Sequence, residues 1–330
     1  MDTLMNFYNL LQARFFGPFK SGGEVVIVVH GGAGNTPDER IPAKLKGVKK
    51  AALEGYDVLR CGGTVVDAVE AAVKYLENDE HFNAGKGSVL NANGEVEMDA
   101  SIMSGNCIEP GTVTVVKGIK NPVSLARRVL DKTPHIKLAG EGAHVFAKNE
   151  GIKIVDPGAL VTGYAQELLE LHKKGELSDC GKSDEPDTVG AVAVDCRGHV
   201  AAAASTGGCT GKLAGRCSSS TTASGVYADD NAGAVACTGH GESIIKFCLA
   251  HNIIQEMENG KTAEAATKQS LVKMHAKLKT RGGATAISTR GDVGIFFSTP
   301  KMVWAYVKGG RLHYGVKPGQ HEIICFEKAK

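Results

Sequence analysis

Hydrophobic and polar positions alternate along the chain in blocks that predict both strands and helices. The segment EVVIVVHGG at 24–32 is apolar and β-branched before it ends in glycines. Such a run predicts a buried strand that leads into a tight loop. Apolar residues then recur at the helical period, which predicts helices over 38–60, 64–78, 121–133, 138–149 and 158–174.

Between these helices, two segments have the composition of strands. EVEMDASIM at 95–103 and GTVTVVKGI at 111–119 predict a strand pair, and a long Gly/Asn loop at 81–94 precedes them. Strands interleaved with helices in this order are typical of a layered α/β protein.

The stretch HKKGELSDCGKSDEPD at 172–187 is polar and charged, and it predicts a linker. The pattern changes directly after it, because TVGAVAVD and HVAAAAST at 188–206 predict a hairpin. Further along, the patterns predict a strand at 233–238, a helix ending near Glu258, a helix at 262–279 capped by Thr262, and hairpins at 284–299 and 302–316.

Composition narrows the class of protein. The net charge is +2, which argues against a nucleic-acid partner bound through bulk charge. No apolar run is long enough to predict a membrane span. The nine cysteines are odd in number and contain no C-x-x-C, so we expect free thiols and a cytoplasmic location.

The first 23 residues differ in composition from the rest of the chain. They lack the basic and apolar regions of a secretory signal, and Arg14 and Lys20 are their only basic residues. An amphipathic targeting helix is one interpretation, but a dispensable extension is favoured.

Several common catalytic motifs are absent from the sequence. There is no G-x-G-x-x-G and no G-x-S-x-G, which argues against a dinucleotide site and an ordinary serine hydrolase. The segment TGGCTGKL at 206–213 has Thr206 and Leu213 where a phosphate-binding loop needs glycine and serine or threonine. No cysteine and histidine spacing matches a zinc site.

Thr188 is the most informative single residue, because it starts an apolar strand directly after the linker. A threonine hydroxyl becomes a good nucleophile when a base takes its proton, and the residue's own α-amino group can do so after the chain is cut before it. A free α-amine has a pKa of roughly 8, so part of it is neutral at physiological pH. The alternative is that Thr188 only begins a strand.

Eight motifs occur together and in a fixed order. They are HGGAG (30–34), FNAGKGS (82–88), GEVEMDASIM (94–103), DTVGAVAVD (187–195), STGG (205–208), GR (215–216), YAD (227–229) and TGHGE (238–242). From about Val25 to about Gly315 the chain thereby resembles the plant-type L-asparaginase and isoaspartyl peptidase family of N-terminal nucleophile hydrolases. Its animal cytosolic asparaginase-like members are the most similar, and glycosylasparaginase and threonine aspartase are more distant.

The resemblance implies a four-layer αββα sandwich and self-cleavage between Asp187 and Thr188. The predicted organisation is therefore an extension at 1–23, an α-chain at 24–187 that includes the linker, and a β-chain at 188–330. Both chains would form one domain, and two such heterodimers would form a homodimer.

The resemblance also implies roles for individual residues. Thr188 is the expected nucleophile, Thr206 its hydrogen-bonding partner, and Asn83 a residue that steadies this region. Thr238 and the Gly239 N–H would form the oxyanion hole. Arg216 would bind the substrate α-carboxylate through its planar guanidinium, and Gly239 and Gly241 would offer backbone to the same ligand.

A structural sodium ion is a further implication of the resemblance. The backbone of the loop from Leu76 to Lys86 would hold it, through the carbonyls of Leu76, Glu77, Phe82, Ala84 and Lys86. No other cofactor is expected.

Two features of the sequence depart from the family pattern. Asp187 precedes the nucleophile where close relatives carry glycine, which puts the rate of cleavage in question. After Arg216 the chain reads CSSST, so Ser218 and Ser219 replace a Gly-Asp pair whose aspartate binds the substrate α-ammonium. Ser219 can offer only a neutral hydrogen bond, which lowers the expected affinity roughly tenfold to a hundredfold.

These observations predict an amidohydrolase that acts on L-asparagine and β-aspartyl dipeptides and releases L-aspartate. Two alternatives remain open. One is a non-catalytic or poorly processed relative with a binding or structural role, which the Ser219 departure favours. The other is a glycosylasparaginase-like hydrolase.

Overall fold

Two β-sheets of unequal size organise the chain in the computed structural model, which describes residues 23–177 and 188–326. The larger sheet has nine strands in the order β13-β12-β11-β1-β5-β6-β2-β3-β4, and the smaller has the order β10-β9-β8-β7. Neighbouring strands are antiparallel except β3 and β4, which run parallel.

The bounds of these elements are as follows. The strands are β1 Val26–Gly34, β2 Met98–Ser104, β3 Glu109–Val116, β4 Lys137–Ala139, β5 Val189–Val194, β6 Val200–Thr206, β7 Val226–Asp229, β8 Gly233–Gly239, β9 Gly282–Ser288, β10 Val293–Phe297, β11 Lys301–Lys308, β12 Arg311–Gly315 and β13 Glu322–Cys325. The helices are α1 Ile41–Arg60, α2 Val65–Glu77, α3 Pro122–Lys132, α4 Gly140–Asn149, α5 Gly163–Lys173, α6 Gly241–Phe247, α7 Leu249–Glu258 and α8 Ala263–Leu278.

The central strands are buried on both faces because their side chains are apolar on both. In β1, Ile27 and Val29 pack in the cluster that holds helices α1 to α5, whereas Val26 and Val28 pack with residues of the smaller sheet. The other face of the smaller sheet packs against α7 and α8. The alternation along one strand therefore supplies two separate cores.

Short polar signals fix where several helices begin. Thr64 accepts a hydrogen bond from the Asp67 N–H, and the Asp67 carboxylate accepts one from the Thr64 N–H, which completes a capping box before α2. Thr262 caps α8 through the Ala265 N–H, as the pattern predicts.

Most predicted elements form, with differences that have local causes. The predicted helix ending near Glu258 is two helices, since Cys248 adopts a left-handed conformation with φ of 52° between α6 and α7. The helix predicted from 158 starts only at Gly163, because Pro157–Leu160 forms a 3-10 turn.

Three strands were not predicted at all. β4 and β7 have three and four residues, and the β13 residues are all exposed. Segments this short, or lacking a buried face, carry no clear alternation in the sequence.

Cysteine usage corrects one expectation. Within the described residues seven cysteines are free thiols, but Cys209 is disulfide-bonded, so the expectation of free thiols throughout is wrong there. The first 22 residues of the predicted extension and residues 178–187 of the predicted linker lie outside the described residues. Within the described ranges, no helix is long and apolar enough to cross a membrane.

Candidate active site

Thr188 lies at the start of β5, in the interior of the protein. Only 7% of the residue is exposed. Its backbone N–H donates to the Thr238 hydroxyl oxygen at 3.3 Å. The predicted nucleophile is thus tied to β8 of the other sheet.

Thr238 is fully buried and joins three strands. Its hydroxyl oxygen accepts the N–H of Ala33 at 3.1 Å as well as that of Thr188. Because both contacts use the oxygen as acceptor, the hydroxyl proton stays available for donation. A hydroxyl in that state suits the oxyanion role predicted for Thr238.

Gly239 follows Thr238 in a backbone conformation that favours glycine. Its φ is 127°, and a Cβ at this position would lie 2.7 Å from the Gly282 Cα. A side chain here would push β8 away from β9 and displace Thr238. Glycine is therefore required for the close approach of these two strands.

Thr206 is placed beside Thr188 by strand register. β5 and β6 pair Val189 with Ser205, so the next position brings Thr188 opposite Thr206. The Thr206 hydroxyl accepts the Gly208 N–H at 2.9 Å, which stabilises the turn that ends β6.

Asn83 buttresses that turn. Its side-chain amide donates to the Gly208 carbonyl at 2.7 Å, and its backbone carbonyl accepts the Gly207 N–H at 3.0 Å. Its side-chain oxygen accepts the Val89 N–H at 2.9 Å. Asn83 thus makes three hydrogen bonds in and next to the loop after Thr206.

Arg216 makes a two-pronged ion pair with Glu242. Its Nε and one terminal nitrogen lie 3.0 and 2.9 Å from the two carboxylate oxygens. Gly241 packs under the guanidinium, because a Cβ on it would be 2.6 Å from that group. The Arg216 side chain is 15% exposed and the Glu242 side chain 41%, so the pair faces an accessible space.

The serine-rich loop after Arg216 is buried and anchored. The Ser218 N–H donates to Asp99 at 2.7 Å, and the other oxygen of that carboxylate accepts from the Thr114 hydroxyl at 2.5 Å. Ser219 starts a 3-10 turn, and its backbone N lies 3.5 Å from the Cβ position of Gly241. Ser219 therefore lies close to Gly241, which packs under the Arg216 guanidinium.

Known proteins resemble this chain over nearly its whole length. A family model described as asparaginase matches residues 23–316. The chain belongs to the asparaginase family.

Animal relatives show the same similarity. An isoaspartyl peptidase/L-asparaginase from Xenopus laevis is 46% identical over 305 residues, which cover 92% of this chain and 99% of the relative. Enzymes of the same name from Mus musculus and Homo sapiens are 48% and 47% identical, and they cover 88% and 90% of this chain and 90% and 98% of the relatives. The family resemblance inferred from the motifs is confirmed.

Two titratable side chains of this asparaginase-family chain flank the nucleophile strand and are uncharged. His30 is fully buried beside Gly190, and burial lowers its pKa to about 4, partly offset by the Thr188 backbone. Glu77 is fully buried at the end of α2, and burial raises its pKa to about 8 although the Val123 N–H donates to it at 2.9 Å. Burial therefore favours the neutral form of both groups.

Lys212 brings a further cation towards Arg216. Its ammonium donates to the Glu97 carbonyl at 2.7 Å, and burial lowers its pKa against the opposing attraction of Asp99. A Cβ on Gly208 would lie 3.1 Å from both the Lys212 ammonium and an Arg216 nitrogen. The substrate side of the site is therefore rich in charge.

Four of these residues were not assigned roles from the sequence. Glu242, Asp99, Lys212 and His30 come from distant segments, and three of them lie inside quoted motifs. Nothing local in the sequence indicates that Glu242 faces Arg216, since 26 residues separate them.

The loop proposed for sodium packs tightly around its own carbonyls. A Cβ on Gly85 would lie 2.1 Å from the Glu77 carbonyl oxygen, and one on Gly87 would lie 2.0 Å from that of Phe82. Carbonyl oxygens lining a glycine loop fit a hard cation. Among the described residues no group of three or more histidine, cysteine, aspartate or glutamate side chains could hold a metal.

Proposed function

We propose that this protein is a threonine-nucleophile amidohydrolase that hydrolyses L-asparagine and β-aspartyl dipeptides and releases L-aspartate. The observation that carries this proposal is Thr188, buried at a strand start with its N–H on the Thr238 hydroxyl. The relatives are named isoaspartyl peptidase/L-asparaginase, and this name supports the same pair of substrates.

Activation would begin with self-cleavage before Thr188. The Thr188 hydroxyl attacks the Asp187 carbonyl, the peptide C–N bond breaks, and the chain passes through an ester with a free Thr188 amine. Water then hydrolyses the ester, which leaves a carboxylate on Asp187 and restores the hydroxyl. Asp187 lies outside the described residues.

Hydrolysis would use the same hydroxyl a second time. The new α-amine takes the hydroxyl proton as the oxygen attacks the substrate side-chain carbonyl. The Thr238 hydroxyl and the Gly239 N–H stabilise the oxyanion. The leaving amine departs with a proton, and water attacks the β-aspartyl ester to release L-aspartate and regenerate Thr188.

Substrate recognition would centre on Arg216. An incoming α-carboxylate matches the guanidinium fork that Glu242 now occupies. Ser219 and the backbone of Gly239 and Gly241 supply the remaining contacts. Once the substrate displaces it from the guanidinium, the Glu242 carboxylate would give the substrate ammonium a negative partner that Ser219 lacks.

The family resemblance also supports proposals for the layer architecture, the assembly and a bound ion. We propose that the two sheets and their covering helices form the four-layer αββα sandwich of N-terminal nucleophile hydrolases. The two proposed chains, 24–187 and 188–330, share one domain and pair as a homodimer of heterodimers in the cytoplasm. The loop carbonyls of Leu76, Glu77, Phe82, Ala84 and Lys86 would hold a structural sodium ion, which takes no part in bond making.

A non-catalytic relative is the second candidate, and Ser219 is the observation that favours it. A glycosylasparaginase-like activity is the remaining alternative. A denaturing gel of purified protein distinguishes the self-cleaving amidohydrolase from the non-catalytic relative. Self-cleavage predicts two bands, with the smaller piece beginning TVGAV on N-terminal sequencing, whereas a single uncut band without asparaginase activity after long incubation would contradict the proposal.

A further inference from the structure

His30 is a buried histidine that the proposed reaction does not use. It lies in β1, where strand register pairs it with Gly190 of β5, two residues after Thr188. A Cβ on Gly190 would lie 2.4 Å from the His30 Nε2 atom and 2.9 Å from the Ala236 Cβ atom. The His30 ring therefore occupies the space over Gly190, between the larger sheet and β8 of the smaller one.

The His30 ring and the Thr188 side chain face the same space between the two sheets. Alternate residues of an extended chain share a face, so the Thr188 side chain lies on the side of β5 where Gly190 meets His30. A residue placed diagonally across a pair of strands is within reach of a ring. Thr188 is therefore a diagonal neighbour of His30.

Both ring nitrogens of His30 are unpartnered. The residue is fully buried, and neither Nδ1 nor Nε2 forms a hydrogen bond of ordinary geometry with any described residue. Burial lowers the pKa of His30 to about 4, and the Thr188 backbone opposes that shift. Among backbone groups only the carbonyl, an acceptor, favours a protonated ring. The Thr188 carbonyl thus lies close to the ring without accepting a fully formed hydrogen bond from it.

Packing does not account for a histidine at this position. A buried polar group without a hydrogen bond costs folding free energy, and an apolar side chain of similar size avoids that cost. Val26 and Val28, which share the face of β1 with His30, are apolar and fully buried. A third apolar residue would give the more stable strand.

Self-cleavage would give the Thr188 carbonyl a new importance. Thr188 would become a chain terminus, and termini are poorly ordered unless they are tied down. Its nitrogen is held by the Thr238 hydroxyl, and its carbonyl is the other end of the residue. We propose that His30 is a positioning residue, whose ring N–H donates to the Thr188 carbonyl in the cleaved enzyme and so fixes the direction of the Thr188 hydroxyl. This inference rests on the proposed function.

The test removes or keeps the N–H at position 30. His30→Leu removes the donor, whereas His30→Asn and His30→Gln place an amide N–H near the positions of the two ring nitrogens. Ser270→Ala is the matched control, because Ser270 is also buried with a hydroxyl that is unpartnered among the described residues, but it lies on α8. Each protein is followed through self-cleavage on a denaturing gel and then assayed for kcat and KM with L-asparagine.

The kinetic effect should fall on kcat. We expect His30→Leu to lower kcat for L-asparagine roughly tenfold to a hundredfold, since a misplacement of about 1 Å can cost about a hundredfold. The KM should not change, because Arg216 is untouched. At least one amide variant should recover most of kcat. Self-cleavage should slow less than hydrolysis, since the peptide bond before Thr188 still restrains that residue, and Ser270→Ala should behave as wild type.

A stability measurement separates positioning from packing. In the uncleaved Thr188→Ala background, His30→Leu should leave the urea midpoint of unfolding unchanged or raise it, because an unpartnered polar group is removed. A purely structural role predicts the opposite result, in which the midpoint and kcat fall together and neither amide variant restores them.

That structural pattern would overturn the inference, as would an unchanged kcat, a rise in KM alone or a complete loss of self-cleavage in folded His30→Leu. Should His30→Leu fail to fold, the amide variants decide, and an equally low kcat in folded His30→Asn and His30→Gln would overturn it. A wild-type protein that neither cleaves itself nor hydrolyses L-asparagine would instead contradict the proposed function, so the two failures are distinguishable.

Discussion

The proposed nucleophile region around Thr188 and the proposed substrate-recognition region around Arg216 lie side by side but differ in charge. Around Thr188 the contacts come from hydroxyls and backbone N–H groups, and the nearby His30 and Glu77 are neutral through burial. Around Arg216 the contacts are ionic, with Glu242 on the guanidinium and Lys212 close by.

This difference indicates how each region does its work. If self-cleavage frees the Thr188 amine as proposed, neutral groups such as the buried His30 do not raise the pKa of that amine, which suits a base near neutral pH. Recognition of a zwitterionic substrate needs charged side chains, and the Arg216–Glu242 pair is partly exposed to solvent. Variants in the Thr188 region and in the Arg216 region test whether chemistry and recognition can be separated.

The largest effect is expected at the nucleophile itself. Thr188→Ala removes the hydroxyl that we propose as the nucleophile, so both self-cleavage and hydrolysis should fall below detection. A denaturing gel and an ammonia-release assay measure the two losses. Thr188→Ser keeps a hydroxyl and should retain some of each activity. Product formation by pure Thr188→Ala would assign the nucleophile to another residue.

Removing Arg216 should separate recognition from chemistry. Arg216→Ala should raise the KM for L-asparagine on the order of a hundredfold or more, since two charge-assisted hydrogen bonds are lost, while self-cleavage continues. Arg197→Ala is the control, because Arg197 pairs with Asp195 and is 54% exposed. If Arg216→Ala also stopped cleavage, the two regions would not be independent.

Restoring the family residues in the serine loop should have a smaller effect. Ser218→Gly with Ser219→Asp adds a carboxylate beside Arg216, which should lower the KM for L-asparagine roughly tenfold to a hundredfold with kcat less changed. Steady-state kinetics of fully cleaved protein measures the KM and kcat for L-asparagine in both proteins. Ser220→Gly in the same buried turn is the control. An unchanged or higher KM in the double variant would mean that the ammonium is bound elsewhere, for example by Glu242.

The sequence was sufficient to predict the strands and helices that carry strong periodicity. β1, β5 and β6 were all predicted, because buried strands need unbroken apolar runs. It could also place Thr188 at a strand start. The break at Cys248 could not be predicted, since a single left-handed residue has no periodic signal.

Contacts across the two sheets were beyond prediction for a different reason. The bonds from Ala33 and Thr188 to Thr238 join residues 205 and 50 positions apart. Only strand order and sheet packing bring them together. The protonation state of Glu77 likewise depends on its burial. The sequence alone does not show whether a single glutamate on a helix is buried.

Glu77 provides the last and smallest test, which asks whether the region around Thr188 is neutral. Burial raises its pKa from 4.5 to about 8, so between those values the folded protein holds a proton that the unfolded chain has released. The contribution of Glu77 to the free energy of unfolding should therefore fall as pH rises from 4.5 to about 8. His30, with its pKa lowered from 6.5 to about 4, contributes with the opposite sign below pH 6.5, so the Glu77 contribution is the part of the pH slope that Glu77→Gln removes.

Urea unfolding of the uncleaved Thr188→Ala protein at several pH values in this range measures the slope, with and without Glu77→Gln. Glu167→Gln is the control, because Glu167 is an exposed glutamate on helix α5. Equal slopes in the Glu77→Gln and parent proteins would mean that Glu77 is ionised when folded. A negative charge would then lie behind Thr206, and the nucleophile region could no longer be called neutral.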